Sequence, residues 1–167
     1  IIDPLKHSLI ANEITSVMGI VNGTTNYMLT RMADNGLSYE DALHEAQQKG
    51  FAEADPTADV GGFDAAAKIA ILASIAFNSR VTLDAVFTDG ITNISPVDIE
   101  AARDMGYVIK LLAIAHRRED GVDVRVHPTM IPTNHQLATV NGVFNAISVT
   151  GNAIGDVMFY GRGAGKL

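Results

Sequence analysis

Four carboxylates and one amine fall within a short stretch of this 167-residue chain: Glu53, Asp55, Asp59 and Asp64, followed by Lys68. Pro56 and the Gly61-Gly62 pair interrupt the acids, so the segment reads as an ordered loop that turns its carboxylates toward a common point. Such a nest suits an ammonium group, because opposite charge favours the ionised form of both partners. Asp64 and Lys68 stand four apart, which on a helix puts them on one face about one turn from each other. That pair has two readings. It is a helix-stabilising ion pair near a helix N-terminus, or a proton donor whose affinity is lowered by desolvation and raised again by the neighbouring carboxylate. A calcium loop is a further reading of the acids, but their spacing misses the EF-hand pattern and a proline sits in the middle.

The second chemical candidate is the run Tyr160-Gly161-Arg162-Gly163-Ala164-Gly165-Lys166-Leu167. Closely spaced glycines let backbone N–H groups approach an anion. The run lacks the Ser or Thr after lysine and the leading glycine of a Walker loop, so a plain turn stands beside the anion reading. The histidines at 7, 44, 116, 127 and 135 show neither i, i+4 pairing nor cysteine company, so structural or surface roles are expected and no metal site is read. No Gly-x-Ser-x-Gly elbow occurs, and an acyl-enzyme serine mechanism has no support.

The elements that must position these residues can be read from period and punctuation. Residues 14–21 read as a buried strand; Asn22-Gly23-Thr24-Thr25 breaks it and offers hydroxyl caps to a helix carrying Tyr27, Met28, Leu29 and Met32, ended by Gly36. Ser38 with Asp41 predicts a capped helix running to Gly50. Asp64 opens the next helix, so apolar through Phe77 that most of its circumference is expected to be buried. Ser95-Pro96-Val97-Asp98 predicts a helix to about Gly106. A strand over 108–115 follows, then a hairpin turn at Asp120-Gly121 with both central residues at positive φ, and alternating valines at 122, 124 and 126. Two β-rich stretches, 143–150 and 156–160, close the chain before the glycine run. Helices early and strands late point to an α+β fold with a mixed, mainly antiparallel sheet and helices on one face.

Composition narrows the class. Apolar residues make up 47% and charged residues 19%, the balance of a globular chain long enough to bury a core without staples. With no cysteine there is no disulfide framework or thiolate metal site, and the cytoplasm is the expected compartment. A net charge of -7 offers no footprint for nucleic acid, and no apolar run is long enough for a membrane-spanning helix. Neither end reads as a polar fringe, so residues 1–167 are expected to be one domain excised from a longer polypeptide.

At these residues the chain resembles homoserine dehydrogenase. The resemblance runs end to end. It rests on Gly19-Ile20-Val21-Asn22-Gly23-Thr24-Thr25-Asn26-Tyr27 and on Gly50-Phe51-Ala52-Glu53-Ala54-Asp55-Pro56 with Asp59, Asp64 and Lys68. Gly106-Tyr107-Val108-Ile109-Lys110-Leu111-Leu112-Ala113 and the terminal glycine run complete it. It implies the substrate-binding and catalytic domain of that enzyme, an NAD- or NADP-dependent oxidoreductase interconverting L-homoserine and L-aspartate 4-semialdehyde in threonine, methionine and isoleucine biosynthesis. It implies that Lys68 and Asp64 are catalytic, Lys68 moving a proton at the substrate oxygen while Asp64 holds that lysine or the hydroxyl. Glu53 and Asp59 would meet the substrate ammonium, Gly23 and Thr24 would line the pocket, and Gly161, Gly163 and Gly165 would lie against the cofactor. The resemblance further implies a homodimer formed through the sheet, and a nucleotide-binding domain preceding Ile1, without which the fragment would be inactive. Phe51 stands where the family often has tyrosine, and Gln136 where it often has proline. The alternatives are a non-catalytic amino-acid-binding or assembly module on the same fold, and a dehydrogenase for a different amino-acid aldehyde.

Overall fold

The computed structural model describes residues 1–163. A short π-helical turn, Pro4–Ser8, precedes β1 (Ile14–Ile20). Helices α1 (Gly23–Asn35), α2 (Tyr39–Gln48), α3 (Thr57–Val60) and α4 (Phe63–Ala76) then follow without an intervening strand. The rest is β2 (Phe87–Thr88), α5 (Pro96–Asp104), β3 (Tyr107–Arg118), β4 (Gly121–Pro132), β5 (Phe144–Gly151) and β6 (Gly155–Arg162). The six strands form one sheet in the order β2-β4-β3-β1-β5-β6; β2 pairs in parallel with β4, and every other pairing is antiparallel. The sheet is mixed and mainly antiparallel, as the late strands and the hairpin signal predict.

Strand alternation divides the sheet into two unequal cores. On the larger side Val17, Ala113, Ala115, Val124, Val126 and Val149 join Met28, Leu29 and Met32 of α1 and Ile69, Leu72 and Ala73 of α4. On the other side Ile20, Leu112, Ile114 and Ala146 pack with Leu137, Ala138 and Val140 of a 3-10 turn, Gln136–Thr139. Burying apolar side chains to this extent is the main favourable term holding α4 to the sheet.

Three local expectations need correcting. The β3–β4 pairing closes at Arg118 opposite Gly121, so the two-residue turn is Glu119-Asp120 and not Asp120-Gly121. Asn78 is the only non-glycine described residue with positive φ, so neither turn residue adopts it. Gly121 carries the positive φ instead, at 157°, and takes the first paired position of β4. Helix α2 ends at Gln48, short of Gly50. Helix α4 is not buried around most of its circumference: Phe63 and Ile71, both 53% exposed, flank Ala67 on an open stripe at spacing i, i+4, i+8. The capping box at Ser95 and Asp98 forms as expected, with each side chain bonded to the other's backbone N–H.

Candidate functional site

The site is built where β1 ends. Asn22, 6% exposed, follows that strand and caps α1: its Oδ1 accepts the Thr25 N–H and the Thr25 hydroxyl, each at 2.9 Å. The expected hydroxyl caps are therefore replaced by a carboxamide. Its Nδ2 is left free to point away from the helix, donating to Asp59 Oδ1 at 2.7 Å and Asp64 Oδ2 at 2.9 Å. Asn22 and Asn145 are site residues that the sequence reading missed; for Asn22 the available signal was its helix-capping residue type between a strand and a helix.

Asp64 lies in the first turn of α4, where exposed N–H dipoles favour a carboxylate. One turn on, Lys68 Nζ donates to Asp64 Oδ2 at 2.6 Å and to the Val21 carbonyl at 3.0 Å. The Lys68 side chain is 47% exposed, and ion pairs of that exposure add about 0–1 kcal/mol to a fold. The amine is thus fixed by an acid and by the backbone just past β1 while one side stays open. Thr24 ties the second wall, its hydroxyl donating to the Phe51 carbonyl at 2.7 Å, and the Phe51 ring meets Tyr27 edge-on at 4.9 Å.

These residues surround a hollow of about 370 Å³ lined by Asn22, Gly23, Thr24, Gly50, Phe51, Asp59, Asp64, Lys68, Val143, Asn145 and Gly163. It adjoins a second space of about 410 Å³ whose walls are largely apolar and include Val21, Ile71, Leu72, Ile147 and Phe159. Lys68, Asn145 and Gly163 line both. Ile71, on the open stripe of α4, is one wall of the second space. Asn145 Oδ1 is buried and has no hydrogen-bond partner among the described residues.

Of the acids in the 53–64 segment, two face the hollow. Asp55 instead accepts the Thr57 hydroxyl at 2.6 Å and the Thr57 N–H at 3.1 Å, which closes a turn into α3 and holds its carboxyl below the usual carboxylate range. Glu53 is exposed and does not line the hollow; its backbone carbonyl accepts from Gln47. Sequence proximity suggested convergence, but α3 and its preceding turn separate Glu53 and Asp55 from the other pair. Gly161 lies within β6 opposite Asn145 rather than in a loop. Gly163 follows the strand, so close to the Asn145 amide that a Cβ there would collide with it. Gly165 lies outside the described residues. Among the described residues no group of three or more His, Cys, Asp and Glu side chains is arranged to hold a metal ion.

Comparison with known proteins adds an independent line. A family profile described as homoserine dehydrogenase matches residues 1–167. A homoserine dehydrogenase of Corynebacterium glutamicum is 55% identical over 99% of this chain and 38% of its own length. The solved structure of a Thiobacillus denitrificans homoserine dehydrogenase superposes with a TM-score of 0.96 at 46% identity, covering 98% of this chain and 38% of that one. A hyperthermophilic archaeal homoserine dehydrogenase mutant, solved in complex with NADPH, superposes with a TM-score of 0.82 at 27% identity over 99% of this chain and 46% of its own. The chain spans about two fifths of the relatives it matches.

Proposed function

This chain belongs to the homoserine dehydrogenase family, and we propose that it forms the amino-acid-binding and proton-transferring part of an enzyme that interconverts L-homoserine and L-aspartate 4-semialdehyde. The observation that carries the reading is Lys68: an ammonium 2.6 Å from Asp64, anchored to the Val21 carbonyl, at the boundary between a polar hollow and an apolar space.

The hollow is dimensioned for a small zwitterion, and the carboxylates of Asp59 and Asp64 give its ammonium end a place to dock. Glu53 would add to that charge only from outside the lining. Gly23 and Thr24 line the wall near Asn22. With the substrate oxygen beside Nζ, Lys68 in its ammonium form gives a proton to the oxygen as the aldehyde is reduced, and its amine form takes the hydroxyl proton in the reverse direction. Asp64 keeps the nitrogen pointed inward.

A nicotinamide cofactor, NAD or NADP, would supply or accept the electron pair. The residues present fit it. Ile71, Leu72, Ile147 and Phe159 make an apolar wall for a ring, and Asn145 Oδ1, without a partner among the described residues, is an acceptor for a carboxamide N–H. Gly161 and Gly163 would bring backbone close to it, with Gly165 as the continuation. The NADPH complex of the archaeal relative supports this class of cofactor. Most of the dinucleotide would be held by polypeptide outside this chain, which alone would not turn over. The part-open second face of the sheet, with Met158 and Tyr160 exposed, is the surface proposed for homodimer formation. The cysteine-free composition accords with the cytoplasm. No helix of the described residues is long and apolar enough to cross a membrane.

The test replaces the matching segment of the Corynebacterium glutamicum enzyme by this chain and compares Lys68→Ala with the parent chimera. Loss of about a hundredfold or more in kcat is expected from removing the proton carrier. Unchanged turnover would leave only an amino-acid-binding or assembly module, and a panel of amino-acid aldehydes on the parent separates homoserine from other substrates.

A further inference from the structure

A second lysine is buried where the proposed reaction does not use it. Lys110, on β3, is 3% exposed and spends its three N–H donors on the Val140 carbonyl at 2.7 Å, Asn141 Oδ1 at 2.8 Å and Asn26 Oδ1 at 3.2 Å. None of these acceptors is a carboxylate. Asp34 of α1 is the charged residue whose field reaches it, and burial pulls its pKa down to about 8. A buried cation without a counterion is costly to a fold. An apolar side chain would fill that place more cheaply, so the benefit lies in what the amine holds.

What it holds is the segment 140–145. Asn26 Nδ2 is shared among the carbonyls of Val140, Gly142 and Phe144 at 3.0–3.1 Å, and the Gly142 N–H donates to Thr30 Oγ1 at 3.1 Å. Between the 3-10 turn and β5 the Val140 and Gly142 carbonyls and the Gly142 N–H are thus met by side chains instead of by a ladder, beside a turn bond from the Phe144 N–H to the Asn141 carbonyl. The same segment supplies Val143, whose carbonyl lies 3.0 Å from where a Gly23 Cβ would stand, and Asn145, which lines the hollow beside Lys68. We propose that Lys110 and Asn26 form a buried clamp that holds the 140–145 segment as one wall of the ligand hollow, making Lys110 a positioning residue for the amino acid bound there. The inference rests on reading the hollow as the ligand site. The clamp acts on the wall alone, because Lys68 is anchored separately by Asp64 and Val21.

Lys110→Met keeps the length of the side chain and removes every donor. In the chain itself, hydrogen exchange of peptides spanning 140–145 should accelerate about tenfold or more relative to β1 and β3. In the chimera the KM for homoserine should rise about tenfold, with kcat and the KM for the dinucleotide changed less than about threefold. In the parent, the Asn26 and Asn141 side-chain amide resonances should titrate with a midpoint of about 8, because the neutral amine has two donors for three acceptors. That titration should vanish in Lys110→Met. Exchange that is unchanged, or raised equally throughout the sheet, overturns the clamp, as does an unaltered KM for homoserine. Should Lys110→Met fail to fold, Asn141→Ala removes a single acceptor from an exposed residue and must still accelerate exchange at 140–145 selectively. If Lys68→Ala retains turnover, the reading of the hollow fails while the exchange result stands.

Discussion

Asn22 lets the geometry be tested by two substitutions that differ in one respect. Asn22→Ala removes the α1 cap, worth about 1 kcal/mol. It also removes two donors to carboxylates; hydrogen bonds to charged groups contribute about 1.5–3 kcal/mol each when shielded, and about 1 each where water reaches, as it does at Asp64. The sum is about 3 kcal/mol, or a fall of about 6–12 °C in Tm for a domain of this size. Asn22→Asp keeps a good cap but turns two attractions into contacts among three carboxylates. At pH 7 it should therefore melt at least as low as Asn22→Ala. The new acid's pKa is raised in the folded state by Asp59 and Asp64, so the folded form binds more protons than the unfolded. Its penalty is full above the folded pKa and is withdrawn as pH falls toward the unfolded value of about 3.9. Circular-dichroism melts at pH 7 and pH 5 read this directly. An Asn22→Asp protein that melts within about 2 °C of the parent at pH 7, or a gap that does not narrow at pH 5, would refute the role of Asn22 as the donor joining the two acids.

Elsewhere the expected effects are structural. Glu45, bonded by Lys49, Tyr27 and Arg31, has its pKa lowered to about 2. Its stabilisation is present above the unfolded carboxylate range and is lost as pH falls toward 2, so the Tm gap between the parent and Glu45→Gln should close over that interval in pH-dependent melts. Ser95→Ala dissolves the α5 capping box and should cost about 1 kcal/mol, a Tm loss of about 2–4 °C by calorimetry.

Features that depend on local pattern were legible in the sequence. The Ser95 cap, the strands bearing alternating valines and the Asp64–Lys68 pair each follow from spacing within one element. What was not legible depends on where separate elements meet. Asn22 is a plain helix cap in one dimension and becomes a link between acids only when α3 and α4 fold onto the end of β1. Lys110 looks like an intrusion in an apolar strand until residues 140–144 bring it acceptors. Hydrophobicity alone gave α4 too much burial, because Phe63 and Ile71 sit on the stripe that borders open space. The hairpin turn falls one residue before its Asp-Gly signal, because Gly121 is already paired opposite Arg118.

The hydrogen bond from Lys68 to the Val21 carbonyl ties the amine to the residue that follows an interior strand, whereas Gly50, Phe51 and Asp59, which line the hollow, lie on the connection from α2 to α4. Apart from the Asn22 amide that joins Asp59 to Asp64, frame and lining are therefore held by different elements. Changes of residue or length across 50–62 would redraw which small molecules the hollow admits without relocating Lys68, the proposed proton carrier. Such an arrangement would let selectivity drift while the proposed reactive centre stays where it is.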